Sequence, residues 1–225
     1  MLDNITENNW VSLVGRITTE SKFNHELYGE GFYTFELDVL RLSKCYDKIP
    51  VIISERLIPI EMLEVGKCVK LHGQFRSYNS IGGNGRKLIL MAFVRDIDII
   101  DEDEYIHTKD PNEIYLNGFI CKLPMYRKTP FGREICDLLV AVNRQYFKSD
   151  YIPCISWGRN AKFAQYLHQG DNIKLWGRVQ SREYQKKHEN GQVTNNRAYE
   201  ISVSKMELIT RGAASHEEDD GGIII

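Results

Sequence analysis

Aromatic side chains interleaved with lysines and arginines are the residues of this chain most suited to binding chemistry. Tyr151 and Trp157 lie six positions apart in the run DYIPCISWGR at 150–159, and Tyr146 and Tyr184 lie in the segments on either side. Basic residues accompany both outer tyrosines: Arg144, Lys148, Arg182, Lys186 and Lys187. A ring offers a stacking surface, and a nearby cation offers a partner for an anion. The set therefore predicts a surface for a ligand that is both flat and negatively charged.

The run at 150–159 has the composition of a strand, in which successive side chains point to opposite faces. Alternation places one set outward and a smaller, largely apolar set inward: Tyr151, Pro153, Ile155 and Trp157 against Ile152, Cys154 and Ser156. The alternative is that both rings pack in a core. Pro153 leaves this alternative open, because a proline in a strand often marks a bulge, and a bulge resets the alternation.

Patterns for catalysis or metal binding are missing from the sequence. The acidic run DEDE at 101–104 has no His or Lys constellation near it, which argues against a nuclease and against a metal site. The five cysteines lack CxxC spacing and sit mostly among Val, Leu and Ile, so we interpret them as reduced core thiols. We therefore expect neither an enzyme nor a cofactor.

Charge is spread unevenly along the 225 residues, although the net charge is only −2. By segment, the net charge is −1 over 1–100, −5 over 101–113, +8 over 114–211 and −4 over 212–225. The acidic segments have the composition of a linker and a tail, whereas the basic excess suits a polyanionic partner. No apolar stretch approaches the roughly 20 residues that cross a bilayer, and the N-terminus lacks a secretory pattern, so we expect a cytoplasmic protein.

Four sequence blocks occur twice in the same order, the first three at an offset of 103 or 104 positions. Two of the matches are NNWVSLVGRI with NEIYLNGFI and DKIPVIISERL with DYIPCISWGRN. The other two are LEVGKCVKLHGQFRS with LHQGDNIKLWGRVQS and RKLILMAFVRDIDII with NRAYEISVSKMELI. A repeat of this length indicates two homologous domains. We place them at 1–100 and 114–211, with a linker at 101–113 and a tail at 212–225.

Each unit has the pattern of five short strands with one short helix between the third and the fourth. In the second unit we expect a loop in MYRKTPFGRE, a helix in AKFAQYLHQG capped by Gly170, and strands at 114–122, 135–143, 150–157, 172–184 and 198–209. The first unit has a weaker helical element at 59–64. Glycines inside strands one and four suit close backbone approach in a curved barrel: Gly15, Gly73, Gly118 and Gly177. The predicted fold is all-β, with two tandem OB-fold barrels, a fold that binds oligonucleotides, oligosaccharides or proteins.

The two copies differ most at the rings. Lys48 and Ser54 stand in the first copy where Tyr151 and Trp157 stand in the second, whereas the Asp before them and the Ile and Pro between them are kept. Core residues should survive duplication better than a surface whose task has been divided, so the comparison favours exposed rings. Rings among cations suit single-stranded nucleic acid, since its bases stack on the rings and its phosphates follow the cations.

Residues 112–209 also resemble the bacterial single-stranded DNA-binding protein family (SSB). The resemblance rests on NEIYLNGFI, TPFGREICDLLVAVNR, DYIPCISWGRNAKFAQYLHQGDNIKLWGRVQSREY and RAYEISVSKMEL. It implies that bases stack on Tyr151 and Trp157 in the third strand, on Tyr184 after the fourth-strand glycine, and on Tyr146 in the loop before the third strand.

The C-terminal SHEEDDGGIII resembles the tail of the same family, an acidic cluster with a hydrophobic tip, although it ends in isoleucines where the family usually has Pro-Phe. In the family this tail recruits replication and repair proteins. The resemblance therefore implies a partner-binding role for Glu217, Glu218, Asp219, Asp220, Ile223, Ile224 and Ile225.

Taken with the resemblance, the residues predict a protein that coats single-stranded DNA without strong sequence preference in replication, recombination or repair, in association with the nucleoid. The expected phosphate contacts are Arg144, Arg159, Arg178, Arg182, Lys186, Lys187, Lys122 and Arg133. The alternative is an OB-fold module of a primosome or recombination complex that chiefly binds proteins. RNA also stays open as a ligand, because stacking accepts either backbone.

The role of the first domain is open at this stage. A group of its residues would extend a DNA path, namely Arg16, Arg41, Lys48, Arg76 and Tyr78, while Glu26, Glu30 and Glu55 would oppose one. Weak DNA binding and a structural or dimerising role both fit this composition. Because the family usually assembles four OB domains, a chain that holds two is expected to form a homodimer.

Overall fold

A computed structural model describes residues 8–82, 85–187, 191 and 193–211, with side chains throughout these ranges except at 80–82, 85–87 and 186–187. The described residues form twelve strands: β1 (Asn9–Ile17), β2 (Lys22–Leu27), β3 (Glu30–Leu40), β4 (Tyr46–Ser54), β5 (Cys68–Gly82), β6 (Gly85–Ile100), β7 (Asn112–Ile120), β8 (Met125–Lys128), β9 (Glu134–Asn143), β10 (Ser149–Trp157), β11 (Asn172–Lys187) and β12 (Val193–Thr210). Two short helices also form, α1 (Glu102–His107) and α2 (Arg159–Ala164), with a 3-10 turn at Ile60–Met62. No helix among these residues is long and apolar enough to span a membrane.

Each half of the chain closes into a barrel. In the first half the strands pair in the order β1-β5-β6-β4-β3, and β3 pairs again with β1. In the second half the order is β7-β11-β12-β10-β9, and β9 pairs again with β7. Among the described strands, only β4 with β6 and β10 with β12 are parallel. Five strands closed in this order form an OB barrel, so the prediction of two tandem OB barrels is confirmed.

Two local predictions in the second barrel were wrong. The expected loop MYRKTPFGRE contains the strand β8, because Thr129 N donates to the carbonyl of Arg133 (2.8 Å) and closes a hairpin onto β9. The helix α2 starts directly after β10 and ends at Ala164, well before Gly170. Gly170 N instead donates to the carbonyl of Ile120 (2.9 Å) and ties the connection to the end of β7. In the first barrel, the segment 59–64 forms only the 3-10 turn.

The glycines of the fourth strands lie where the barrel backbones approach most closely. A Cβ on Gly73 would lie 2.1 Å from a carbonyl oxygen of β6, and one on Gly177 would lie 2.2 Å from a carbonyl oxygen of β12. Both positions are register shifts, at which one residue of the facing strand bulges out, Arg95 in β6 and Ser204 in β12. The strands can curve this sharply only where no side chain intervenes.

The strands β1 and β7 join the two barrels edge to edge. They run antiparallel from Asn9 opposite Leu116 to Leu13 opposite Asn112, so that one sheet of twelve strands passes through both barrels. The central pair is Val11 with Ile114, which occupy the same place in the two copies of the repeat. The barrels are therefore related by an approximate twofold axis at this pair.

The aspartate that both copies keep lies fully buried where the barrels meet. Asp47 Oδ1 accepts a hydrogen bond from Ser181 N (2.6 Å), and Asp150 Oδ1 accepts one from Ser77 N (2.6 Å). Each serine hydroxyl in turn accepts from the backbone nitrogen that follows the aspartate, at 3.0 and 2.8 Å. Each barrel thus supplies a buried carboxylate to the fourth strand of the other.

Arginines neutralise both buried carboxylates. Asp47 pairs with Arg41 and with Arg178, the latter at 3.0 Å, while Asp150 pairs with Arg144 at 3.3 Å. Burial raises the pKa of Asp150 in spite of the hydrogen bonds and positive charge that favour its ionised form. Asp47, which has two guanidinium partners, is therefore the more firmly held of the two ions.

The acidic segment between the barrels is partly helical. Asp101 caps α1 by accepting a hydrogen bond from Glu104 N (2.8 Å). Glu102 pairs with Arg16 of β1 at 2.7 Å, and the guanidinium of Arg16 lies 5.1 Å from the ring centroid of Tyr105. The run DEDE thus caps a helix and fastens it to the first barrel. Within the described residues, no group of three or more His, Cys, Asp or Glu side chains is placed to hold a metal ion.

We predict that Asp47→Asn destabilises the fold more than Asp150→Asn. Removing one charge from a buried ion pair costs roughly 3–5 kcal/mol, and Asp47→Asn leaves two arginines without their partner. The cost at Asp150 should be lower, about 1–2 kcal/mol, because its ionised form is already disfavoured. Urea unfolding measures both free energies, with Asp137→Asn, which breaks an exposed ion pair, as the control. Equal losses at the two buried positions would contradict the prediction.

Candidate nucleic-acid interface

The strand β10 carries its rings on the outer face of the second barrel. It pairs with β9 in an unbroken register from Ser149 opposite Asn143 to Trp157 opposite Ile135, so Pro153 makes no bulge. Tyr151 is 44% exposed and Trp157 is 38% exposed. The intervening set that was expected to face inward, Ile152, Cys154 and Ser156, is buried, but so is Ile155, which was expected to face outward. Both rings are therefore open to solvent on one side of the sheet.

Trp157 lies in a groove of about 840 Å³, which we call the Trp157 groove. Three other residues of the sequence-predicted set line it: Lys122, Arg178 and Arg182. Arg41 and Arg127 line it as well, and Arg127 is paired with Asp137 at 2.9 Å. The floor is the outer face of the sheet between β9 and β12. Two acids, Asp137 and Glu200, also line the groove, but five cations outnumber them. An apolar floor with a net basic rim can hold both the bases and the phosphates of a single strand.

Tyr184 lies in an adjoining groove of about 880 Å³ that shares Pro153 with the Trp157 groove. The ring is 42% exposed, and the guanidinium of Arg182 lies 5.9 Å from its centroid. The first barrel contributes to this groove through Pro50 and the apolar start of β6. Arg197 crosses between the barrels to Glu36 at 2.7 Å. The structure thus brings Trp157 and Tyr184 to two connected grooves on one side of the second barrel.

Tyr146 lies apart from these grooves, in the turn between β9 and β10. It is 86% exposed and has a φ of 60°, and its neighbour Phe147 is fully exposed with a φ of 56°. Left-handed backbone is unfavourable for residues with a bulky side chain. Phe147 was not among the predicted site residues, although two adjacent aromatics in a polar turn are a signal that the sequence offered.

The remaining predicted cations fall into three groups. Arg133 and Arg159 are exposed and, like Lys122, have no ion pair among the described residues. Arg144 and Arg178 already pair with the buried aspartates. The backbones of Lys186 and Lys187 extend β11, but their side chains lie outside the described residues, as does the whole tail with Glu217, Glu218, Asp219, Asp220, Ile223, Ile224 and Ile225.

The corresponding face of the first barrel is closed by its own side chains. Lys48, in the place of Tyr151, pairs with Asp38 at 3.1 Å. Ser54, in the place of Trp157, donates a hydrogen bond to Glu30. Beside Ser54, aromatic rings pack on one another, since Phe32, which pairs with Ser54 across the strands, lies 6.0 Å from Phe93 and His25 stacks on Phe32 at 4.8 Å, measured between centroids. At the places of Tyr151 and Trp157, this face therefore carries no exposed ring.

Two OB barrels in one chain, of which the second carries exposed rings beside a groove, define a tandem OB-fold protein. Comparison with known families identifies one of its two units. Residues 111–209 match the model of the single-strand binding protein family. The match covers the second domain of the chain, in agreement with the resemblance noted from its sequence.

The chain is similar to several curated proteins named single-stranded DNA-binding protein. That of Lactiplantibacillus plantarum is 31% identical over 120 residues, which cover 49% of this chain and 58% of the relative. That of Enterococcus faecalis is 29% identical over 118 residues, which cover 49% of this chain and 61% of the relative. The chain thus spans little more than half the length of these relatives.

A solved structure extends the likeness to both barrels. A deletion and substitution variant of the single-stranded DNA binding protein from Thermus aquaticus aligns over 93% of this chain and 98% of its own, with a TM-score of 0.65. Its sequence identity is 19%, so the comparison bears on the fold alone. The tandem arrangement of two OB barrels is therefore shared with that protein.

We predict that Tyr146→Asn and Phe147→Asn each leave stability unchanged or raise it by about 0.5–1 kcal/mol. Asn tolerates the left-handed backbone better than an aromatic residue, and both rings are exposed. Urea unfolding tests this, with Tyr126→Asn as a control, because the Tyr126 hydroxyl bonds Glu134 (2.9 Å) and its ring packs on the core. A loss of 1 kcal/mol or more at Tyr146 or Phe147 would mean that these rings support the fold.

Proposed function

We propose that this protein binds single-stranded DNA without strong sequence preference and protects it during replication, recombination or repair. The observation that carries the proposal is the outward placement of Tyr151 and Trp157 on β10, beside a groove with a basic rim. The names of the relatives support it. Stacking accepts every base, which accounts for the expected lack of sequence preference. Such a protein would act without catalysis, in the cytoplasm and in association with the nucleoid.

The roles of the individual residues follow from their surroundings. Tyr151, Trp157 and Tyr184 stack with bases, and Tyr146 stacks where the strand passes the turn. The cations Lys122, Arg133, Arg159 and Arg182, which lack an acidic partner among the described residues, contact phosphates. Arg144 and Arg178 contact phosphates while the buried aspartates hold the two guanidinium groups in place. Lys186 and Lys187 are proposed from the sequence to extend this path along the hairpin.

We also propose that the protein is a homodimer, so that four OB barrels act together. The strands β6-β5-β1-β7-β11-β12 form a continuous surface across both barrels. Its outer face carries Trp10, stacked on His72 at 6.1 Å, and Tyr115, 5.2 Å from Trp176. A second copy covering this face would bury rings that now contact solvent.

The acidic tail is proposed to bind replication and repair proteins.

We predict that Tyr151→Ala and Trp157→Ala each weaken binding of oligo-dT by about 1–3 kcal/mol, because each removes one stacking surface. Tyr151→Phe and Trp157→Phe should retain most of the affinity, since they keep a ring. Fluorescence anisotropy of labelled oligo-dT measures the affinities, and oligo-U in parallel shows whether RNA is also bound.

The matched control for these variants is Tyr28→Ala, which removes an exposed ring from the first barrel. It should bind as the unmodified protein does. Affinity that survives both alanine substitutions on β10 would overturn the proposal and favour a module that chiefly binds proteins. In the unmodified protein, oligo-dT should also quench tryptophan fluorescence. Trp157→Phe should abolish the part of this quenching that comes from Trp157.

We predict that Trp10→Glu converts the dimer into a monomer, because it places a charge in the centre of the proposed interface. Native mass spectrometry should give twice the mass of one chain for the unmodified protein. Phe23→Glu, at an exposed apolar position of β2 away from this face, is the control and should remain dimeric. A monomeric unmodified protein would overturn the homodimer but leave DNA binding intact.

A further inference from the structure

The approximate twofold axis relates two grooves between the barrels, and these grooves differ in charge. One, which we call the turn groove, lies between the β9–β10 turn and the outer face of β5 and β6, with a volume of about 330 Å³. The other, the counterpart groove, lies beside the β3–β4 turn and has a volume of about 510 Å³. Because both grooves belong to one molecule, each serves as a reference for the other.

Four cations line the turn groove: Arg76, Arg95, Arg144 and Lys148. The one carboxylate among its described lining residues, Asp150, is fully buried and already pairs with Arg144. Amide side chains, which donate hydrogen bonds to anions, complete the wall: Asn8, Asn9, Gln74, Asn143 and Gln145. The groove therefore holds an excess of positive charge with little to balance it.

The counterpart groove lacks this excess. Ser204 lines the counterpart groove at the bulge position that Arg95 has in the turn groove. Gln180, which stands on β11 where Arg76 stands on β5, lines the Trp157 groove instead. Two acids, Asp110 and Glu113, line the counterpart groove beside its cations. The two inter-barrel grooves have thus diverged at the positions that face the ligand space, although the buried aspartates beneath them are kept.

Two arginines of the turn groove, Arg76 and Arg95, have no acidic partner among the described residues. The guanidinium carbons of Arg76 and Arg95 lie 3.8 and 4.9 Å from the centroid of the same ring, Phe93. The Nε of Arg76 is buried and makes no hydrogen bond within the described part of the chain. Burial, together with repulsion from Arg95 and Arg144, lowers the pKa of Arg76. An anion in the groove would offset that repulsion.

The turn groove lies where the line of rings on β10 ends. Along the strand, Trp157 stands at one end and Tyr151 near the other, about 20 Å away at the usual rise of a strand. The β9–β10 turn follows, and Tyr146 in that turn lines the groove. The first barrel is close at this point, since Tyr151 N donates to Ser77 Oγ (2.8 Å). A strand that leaves β10 past Tyr151 therefore meets Arg76 and Arg95.

We propose that the turn groove is a phosphate-binding site at which the single strand held by β10 passes from the second barrel onto the first. This inference rests on the proposed function and extends it. The first barrel contributes cations to the DNA path at its edge, through Arg76 and Arg95, while its own sheet face stays closed. Other first-barrel cations that the sequence offered for such a path, Arg16, Arg41 and Lys48, are taken up by acidic partners.

Arg95→Ser tests the site, because serine is the residue that the counterpart groove has at the same bulge. Its matched control is Lys109→Ser, which removes one exposed cation from the counterpart groove. Binding is measured over a range of salt concentrations with dT of about six nucleotides, which occupies β10 alone, and of about 24 nucleotides, which reaches the turn groove. Arg76→Gln, again the counterpart residue, is the second variant, and urea unfolding verifies that each variant is folded.

For the long oligonucleotide, Arg95→Ser should lower the salt slope of log K by about 0.7 and weaken binding about fivefold at 0.1 M salt, the contribution of one single-strand phosphate contact. The short oligonucleotide should bind as before, and Lys109→Ser should change neither. Wild-type affinity and slope in both Arg95→Ser and Arg76→Gln would overturn the site while leaving the proposed function intact. A wild-type protein that binds neither oligonucleotide would overturn both.

Discussion

The antiparallel pairing of β1 with β7 is the contact that sets the positions of the grooves between the barrels. On one side β1 pairs with β5 along most of its length, but on the other it pairs with β3 only at Arg16 and Ile17. The segment Asn9–Leu13 would therefore present an open strand edge, which invites uncontrolled association. β7 has the same unpaired segment, and each strand satisfies the other. The grooves between the barrels follow from this junction.

The buried aspartates fix the register of β1 against β7, which the strand pairing alone does not fix. A ladder of backbone hydrogen bonds can slip in register unless side chains oppose it. A slip of β1 against β7 would separate the carboxylates of Asp47 and Asp150 from the serine nitrogens that they bind, leaving charge buried without partners. The two contacts lie on opposite sides of the axis, so together they hold both the register and the rotation of the barrels. The Asp-x-Ile-Pro element thus belongs to the scaffold, and the residue after each aspartate is free to diverge.

The sequence was most informative about features that follow from a regular spacing of residues along the chain. The repeat gave the two barrels, and alternation along 150–157 gave the outward rings, because both depend on local order alone. It was least informative about contacts between the copies. The pairing of Arg144 and Arg178 with buried aspartates depends on the packing of one barrel against the other. So does the partial closure of the first barrel's face by Phe32 and Phe93, for which no spacing rule exists. The start of α2 was missed because Gly158, with a φ of 53°, begins the helix directly after the strand.

Because both barrels lie in one chain, the two grooves between them can differ in sequence, which is not possible in a homodimer of single barrels. In a homodimer of single barrels, a substitution in one inter-barrel groove appears in the other as well, because one sequence builds both. Here β6 and β12 are encoded separately, so Arg95 and Ser204 occupy equivalent bulges with different chemistry. The same freedom allows Lys48 to pair with Asp38 while Tyr151 stays open to solvent. The turn groove and the counterpart groove consequently differ in charge, a difference that a symmetric assembly cannot provide.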